Sequence, residues 1–143
     1  MDTVIRRTTM ETTSPESAPR ARTVLVVDSD YVEAGAIRNS LEACGFDVSS
    51  WTHAQAARSR LAARPFDLLV LSTNLGQAGI RGFLDDLKTL RPGPKVILIM
   101  DETERQEDEP ALSFLRCLVT VNRPFQLIEL ATTAENLLGV KPR

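Results

Sequence analysis

The chain has 143 residues, of which 43% are hydrophobic and 25% are charged, and these values are typical of one globular domain with one core. Its formal net charge is −2 at pH 7, which argues against electrostatic binding of nucleic acid because such binding needs a basic surface. No apolar run approaches the roughly 18 residues of a membrane span. Two cysteines without metal-ligand spacing, Cys44 and Cys117, favour a reducing, cytoplasmic location over a disulfide framework.

The first 22 residues predict a flexible tail. They are rich in Thr, Ser, Pro and Arg, offer little to bury, and contain no apolar stretch of the secretory kind. A transit-like peptide is an alternative, and the acidic residues Asp2, Glu11 and Glu16 count against it. We therefore expect a tail at 1–22 and one domain at 23–140.

The domain alternates five times between predicted strands and predicted helices. Each strand is a short apolar run, and each helix carries apolar residues three or four positions apart. The predicted strands lie at 23–27, 46–51, 67–71, 96–100 and 118–121. The predicted helices lie at 30–44, between a Thr52 cap and Pro65, at 80–90, in a short segment beginning near Pro110, and at 125–138, with a polar loop at 72–79.

Five strand–helix pairs at this spacing predict an α/β fold with one doubly wound parallel sheet and helices on both of its faces. Function in such sheets concentrates at the carboxyl ends of the strands. The residues expected at four of these ends are 28–30, 72–74, 100–102 and 122–124.

Three motifs at these ends resemble the receiver domain of bacterial two-component response regulators, the CheY-like superfamily. VLVVDSD at 24–30 is similar to a first strand that ends in an acidic pair. FDLLVLSTNL at 66–75 resembles a third strand that ends at the phosphoacceptor aspartate, and VNRPF at 121–125 resembles the Lys-Pro-Phe element after the fifth strand. The resemblance covers residues 23 to about 139 and implies a flavodoxin-like (βα)5 sheet with strand order 2-1-3-4-5.

The resemblance also implies a mechanism for ordinary members of the family. The aspartate after the third strand accepts a phosphoryl group from a histidine kinase. Mg²⁺ is held by that aspartate, by the acidic pair and by a backbone carbonyl two residues beyond. A Ser or Thr after the fourth strand and a Lys after the fifth bind the phosphoryl group.

This sequence departs from that pattern at most of the chemical positions. Asp28 matches the first acidic residue, and Asn74 matches the carbonyl ligand, where the identity of the side chain matters little. Ser29 stands in place of the second acidic residue, and Ser72 in place of the phosphoacceptor. Met100 replaces the hydroxyl residue, and Arg123 replaces the lysine. The site thus resembles a degenerate phosphorylation pocket, with Asp101 as a further nearby acid.

The substitutions remove chemistry that the pocket needs. A serine hydroxyl requires a base to become a nucleophile, and the one histidine, His53, lies at the start of the second predicted helix. The thioether of Met100 cannot donate a hydrogen bond to a phosphoryl oxygen. Mg²⁺ demands several oxygen ligands, so Asp28 alone should hold it weakly or not at all. We expect no enzymatic activity and no cofactor.

Arg123 is the replacement that could preserve a role, because its guanidinium remains cationic and suits carboxylates. We predict an ion pair between Arg123 and Asp28 or Asp101, while Asp30 should act as a solvent-facing helix cap. The hypothesis is that the pocket has become a structural plug that needs no ligand.

The leading functional prediction is a receiver-like signalling module, not phosphorylated at the usual site, that binds protein partners such as a sensor kinase or a second copy of itself. By analogy with the family, the partner-binding face would include Leu112, Leu115, Thr120, Leu127 and Glu129. The alternative is a working phosphorelay receiver with Asp28 or Ser72 as acceptor. A nucleotide-binding flavodoxin-like protein is a third reading, but the first strand is not followed by a Gly-rich phosphate loop.

Overall fold

The strands and helices follow one another in the predicted order through residues 21–101 and 118–139, which are the residues that the computed structural model describes. The strands are β1 (Thr23–Val27), β2 (Asp47–Trp51), β3 (Leu68–Ser72), β4 (Lys95–Asp101) and β5 (Leu118–Arg123). The helices are α1 (Tyr31–Ala43), α2 (Ala54–Ala63), α3 (Gly76–Thr89) and α4 (Leu127–Leu138), with a 3-10 turn at Thr73–Leu75.

The five strands form one sheet in the order β2-β1-β3-β4-β5, and every neighbouring pair is parallel. This confirms the predicted doubly wound fold and its strand order. The register aligns the strand ends, since Ser72 lies opposite Ile99 and Asp101 lies opposite Arg123. The carboxyl ends of β1, β3, β4 and β5 therefore meet along one edge.

Successive side chains of the central strands point to opposite faces of the sheet, and each face carries its own core. Helices α2 and α3 cover one face, with Leu25, Leu69 and Leu98 beneath them. Helices α1 and α4 cover the other, with Val26 and Val70 beneath them. Burial on both faces explains why the central strands read as unbroken apolar runs in the sequence.

The prediction of a polar loop over the whole of 72–79 is wrong. Ser72 ends β3 and its hydroxyl accepts a hydrogen bond from the backbone N–H of Asn74 at 3.3 Å, which begins the 3-10 turn. Gly76 has a φ of +86°, a value that suits glycine, and lets the chain pass from that turn straight into α3. The first turn of α3 is solvent-exposed, so its polar residues gave no apolar signal.

The helix caps are predicted in part. Asp30 caps α1 as expected, because its Oδ1 accepts hydrogen bonds from the backbone N–H groups of Val32 at 2.9 Å and Glu33 at 3.2 Å. The prediction that Thr52 caps α2 is wrong, since His53 occupies the cap position without a capping side-chain bond. The Thr52 hydroxyl instead lies 3.2 Å from His53 Nδ1.

Several sequence predictions fall outside the described residues. They are most of the tail at 1–22, the short helix near Pro110 and the side chains of Leu112, Leu115 and Cys117. Over 21–101 and 118–139, none of the helices has both the length and the apolar character that crossing a membrane requires.

Helices α2 and α3 are joined by a two-pronged ion pair. Arg58 donates to Asp86 through Nε at 2.8 Å and through Nη2 at 3.0 Å. Gly82 makes room for this pair, because a Cβ at that position would lie 2.6 Å from Arg58 Nη1. A Cβ on Gly35, in α1, would meet nothing within 4 Å.

Alanine substitution at Gly35 and at Gly82 tests this packing, with Gly35 as the control. Gly35→Ala should raise the free energy of unfolding by roughly 0.5 to 1 kcal/mol, the usual gain from replacing glycine inside a helix. Gly82→Ala should gain clearly less, because the new methyl group displaces Arg58 from Asp86. Urea denaturation of both variants measures the difference, and an equal gain would contradict the prediction.

Candidate functional site

Side chains from five elements meet around the guanidinium of Arg123 at the carboxyl edge of the sheet. We call this set the Arg123 cluster, and its members are Asp28, Glu33, Ser72, Asp101 and Arg123. One member each comes from the residue after β1, from the last residues of β3, β4 and β5, and from the first turn of α1.

Glu33 is the principal partner of Arg123. Its Oε2 accepts a hydrogen bond from Nη2 at 2.7 Å, and its Oε1 accepts one from Nε at 3.1 Å. Both side chains are about one-fifth exposed, at 19% for Arg123 and 21% for Glu33. The contact is a forked, largely desolvated ion pair, the geometry for which a guanidinium is best suited.

The predicted ion pairs of Arg123 also form, at longer range. Nη1 lies 3.4 Å from Asp101 Oδ1, and Nη2 lies 3.8 Å from Asp28 Oδ2. The sequence reasoning missed Glu33, although a signal was present. Asp30 caps α1, so a residue three positions later lies in the first helical turn, directly beside the strand ends.

Ser72 is fully buried, and its oxygen faces two donors. Arg123 Nη2 donates to the Ser72 Oγ at 2.5 Å, and the backbone N–H of Asn74 donates to it at 3.3 Å. Both lone pairs of the hydroxyl oxygen are therefore engaged. A nucleophilic serine needs a base for its proton, and the two groups shown to contact the Ser72 oxygen here are both donors.

Asp28 is 1% exposed, and its two oxygens differ. Oδ1 accepts hydrogen bonds from the backbone N–H of Asp30 at 2.9 Å and from Asn74 Nδ2 at 2.7 Å. Oδ2 is buried without a hydrogen-bond partner among the described residues. Burial, followed by the neighbouring Glu33 carboxyl, raises the pKa of Asp28 to about 6.

The other members of the cluster respond in the opposite sense. Burial by itself would raise the pKa of Glu33, but the hydrogen bonds from Arg123 and the proximity of the Asp28 carboxyl outweigh burial and hold that pKa below its ordinary value. The hydrogen bond to Glu33 raises the pKa of Arg123 further, against the effect of its own burial. Glu33 and Arg123 therefore keep their charges over the pH range in which Asp28 titrates.

Asn74 contributes more than the sequence reasoning expected. Besides its bond to Asp28, its Oδ1 accepts from the backbone N–H of Ser29 at 2.9 Å, and its carbonyl oxygen accepts from the Ser29 hydroxyl at 3.1 Å. The resemblance gives a role only to the carbonyl of Asn74, whereas here its side chain also ties the ends of β1 and β3 together.

The residues present do not fit the Mg²⁺ that the resemblance implies. Asp28 Oδ1 and the carbonyl of Asn74 already accept hydrogen bonds, and Asp28 Oδ2 faces a cation. Within 21–101 and 118–139, no group of three His, Cys, Asp or Glu side chains is arranged to hold a metal ion. Met100 is buried in the core beneath α2 and α3 and brings no hard oxygen ligand.

Three residues of the predicted partner-binding face lie in the described chain. Thr120 and Glu129 are exposed and Leu127 is 39% exposed, although Glu129 is also used within α4, where its Oε1 accepts from the Gln126 N–H at 3.0 Å. The large apolar side chains most exposed in the described chain are others, and the sequence reasoning missed them. They are Tyr31 at 82%, Val32 at 76% and Ile128 at 69%, in the first turns of α1 and α4.

The raised pKa of Asp28 predicts how stability depends on pH. Folded Asp28 binds a proton below about pH 6, whereas the unfolded residue does so only near 3.8, so stability should rise as the pH falls from 7 to 5. Asp28→Asn removes this slope and should be more stable than the wild type at pH 7.5, by about 2 kcal/mol. Urea denaturation between pH 5 and 8 measures both effects.

The exposed Asp47, at the start of β2, supplies the control. Asp47→Asn should keep the wild-type slope between pH 5 and 7. A slope that persists in Asp28→Asn would show that another group is responsible.

No protein-family model matches this sequence, and no curated protein matches it either. Solved structures do match. A response regulator receiver protein from Burkholderia phymatum is 23% identical, with a TM-score of 0.70 over 85% of this chain and 98% of its own. A CheY-like receiver domain protein from Methanospirillum hungatei JF-1 is 19% identical, with a TM-score of 0.74 over 84% of this chain and 95% of its own.

The same fold also occurs within longer proteins. NtrX from Brucella abortus is 22% identical and matches 84% of this chain with a TM-score of 0.70, but the match covers only 26% of the NtrX chain. The five-stranded parallel sheet, its strand order and its alternating helices are those of the flavodoxin-like receiver fold.

Proposed function

We propose that this chain is a receiver-like signalling domain that is not phosphorylated at the usual strand end and acts by binding other proteins. The observation that carries the proposal is the 2.5 Å hydrogen bond from Arg123 Nη2 to the Ser72 hydroxyl. It lies where the resemblance puts the phosphoacceptor and the lysine. The structural neighbours that are response regulator receivers support the signalling class.

The charges around Ser72 support the loss of phosphoryl transfer. An acceptor aspartate is ionised and attacks phosphorus directly, whereas Ser72 would have to lose a proton. The neighbouring carboxylates that could take it, Asp28 and Glu33, both face the Arg123 guanidinium. Because these carboxylates already face a guanidinium, we propose that Mg²⁺ binds weakly. We also propose that the domain has no enzymatic activity of its own.

The exposed apolar side chains support a binding role. Tyr31 and Val32 begin α1, while Leu127 and Ile128 begin α4. The two helices share a core on the same face of the sheet, so these four residues lie at the same edge of that face. Exposed aromatic and aliphatic side chains grouped in this way are typical of protein interaction sites. We propose this patch, with Thr120 and Glu129 toward the β5 side, as the surface for a sensor kinase, another signalling protein or a second copy.

The intact mass of the protein after incubation with MgCl₂ and acetyl phosphate tests the absence of phosphorylation. We expect no gain of a phosphoryl group, because the Ser72 oxygen is engaged and no base is available. A receiver with an intact acceptor aspartate, labelled in the same experiment, shows that the donor is active.

A mass gain of one phosphoryl group would overturn the proposal in favour of a working phosphorelay receiver. Labelling of Ser72→Ala and Asp28→Asn would then identify the substituted acceptor. Loss of the adduct in one variant alone would name that residue.

A further inference from the structure

The guanidinium of Arg123 is surrounded by oxygens in the manner of a bound cation. Its nitrogen atoms lie 2.7 Å from Glu33, 2.5 Å from Ser72, 3.4 Å from Asp101 and 3.8 Å from Asp28. These oxygens come from α1, from the ends of β3 and β4, and from the residue after β1. A single positive group on β5 thus connects four other parts of the fold.

The carboxyls of the cluster need such a group. Asp28 is 1% exposed and its Oδ2 has no hydrogen-bond partner in the described chain, so this oxygen depends on the nearby positive charge. Glu33 is also largely buried. Buried carboxylates without a cation are strongly destabilising.

We infer that the Arg123 guanidinium takes the place of the divalent cation at this sheet edge and makes the fold independent of metal. The inference rests on the proposed function only in treating the strand ends as a receiver pocket. A metal ion enters and leaves with its concentration in solution. The guanidinium is covalently part of β5 and remains protonated at all ordinary pH values, so the cluster is held in one arrangement whatever the supply of cation or phosphodonor.

The inference has a consequence for a variant without the charge. When Arg123 is replaced by a neutral side chain, Asp28, Glu33 and Asp101 lose their shared counter-ion. The Glu33 and Asp101 side chains are 21% and 58% accessible, so a new cation can reach their carboxylates from solvent. Three carboxyls and the Ser72 hydroxyl are the kind of oxygen ligands that Mg²⁺ accepts.

Thermal unfolding of the wild type and Arg123→Met, in EDTA and in millimolar MgCl₂, tests the inference. The wild-type Tm should be the same in both. The Tm of Arg123→Met should fall by roughly 10 °C in EDTA, as expected for a broken buried ion pair. MgCl₂ at tenfold excess over its Kd should restore roughly 5 °C of that loss. NaCl at matched ionic strength separates binding from general screening.

Arg58→Met is the matched control, because Arg58 also forms a forked bond with a carboxylate, Asp86, but on the other face of the sheet. It should gain no more from MgCl₂ than from matched NaCl. The inference is overturned if Arg123→Met gains no more than this control, or if the wild type is stabilised by MgCl₂ to the same extent as Arg123→Met.

Arg123→Gln serves where the methionine variant does not fold, because it removes the charge and keeps an N–H donor for Ser72. Recovery of its folded state in MgCl₂ but not in EDTA supports the inference, and failure to fold in both conditions overturns it. These readouts are independent of the phosphodonor experiment. A phosphoryl adduct without metal dependence would overturn the proposed function alone. A failure of Arg123→Met to gain stability from MgCl₂, with no adduct on the wild type, would overturn this inference alone.

Discussion

The forked contact between Arg123 and Glu33, with Ser72 as a third partner, is the interaction on which the carboxyl edge of the sheet depends. It joins the last residue of β5 to the first turn of α1 and to the end of β3. A desolvated ion pair of this kind adds little net stability compared with an apolar contact, but removing one member alone is costly because the other is left buried and charged. The contact therefore fixes an arrangement more than it strengthens the fold.

Protonation adjusts the charge balance within that arrangement. Glu33 stays ionised against Arg123, and Asp28, behind them, has its pKa raised by burial and by the neighbouring Glu33 carboxyl. With Asp28 protonated, Arg123 faces two carboxylates, and one of these, Asp101, is well hydrated. Two nearby carboxyls in different environments thus acquire different roles, which is a general effect of burial on acids that lie close together.

The sequence predicted the sheet because apolar strands are local patterns, and the resemblance at the strand ends implied the strand order that the structure shows. It failed where a contact joins distant positions whose residue types are unremarkable. Glu33 looks like any acid in the first turn of a helix, and only the folded chain brings it to Arg123, 90 positions away. Asn74 was underestimated similarly, since its bonds to Asp28 and Ser29 depend on the spacing of two loops. The polar first turn of α3 was missed because a solvent-facing turn has no apolar period to detect.

The hydrogen bond between Arg123 and Ser72 also bears on the order in which sequence changes can accumulate. An aspartate at position 72 would place another carboxyl beside Asp28 and Glu33 and would compete with them for one guanidinium. Ser72→Asp should therefore be better tolerated when position 123 or 33 changes with it, since contacting residues are not additive in their effects. With Arg123 and Glu33 both in place, the effect of a change at position 72 thus depends on which residues occupy positions 33 and 123.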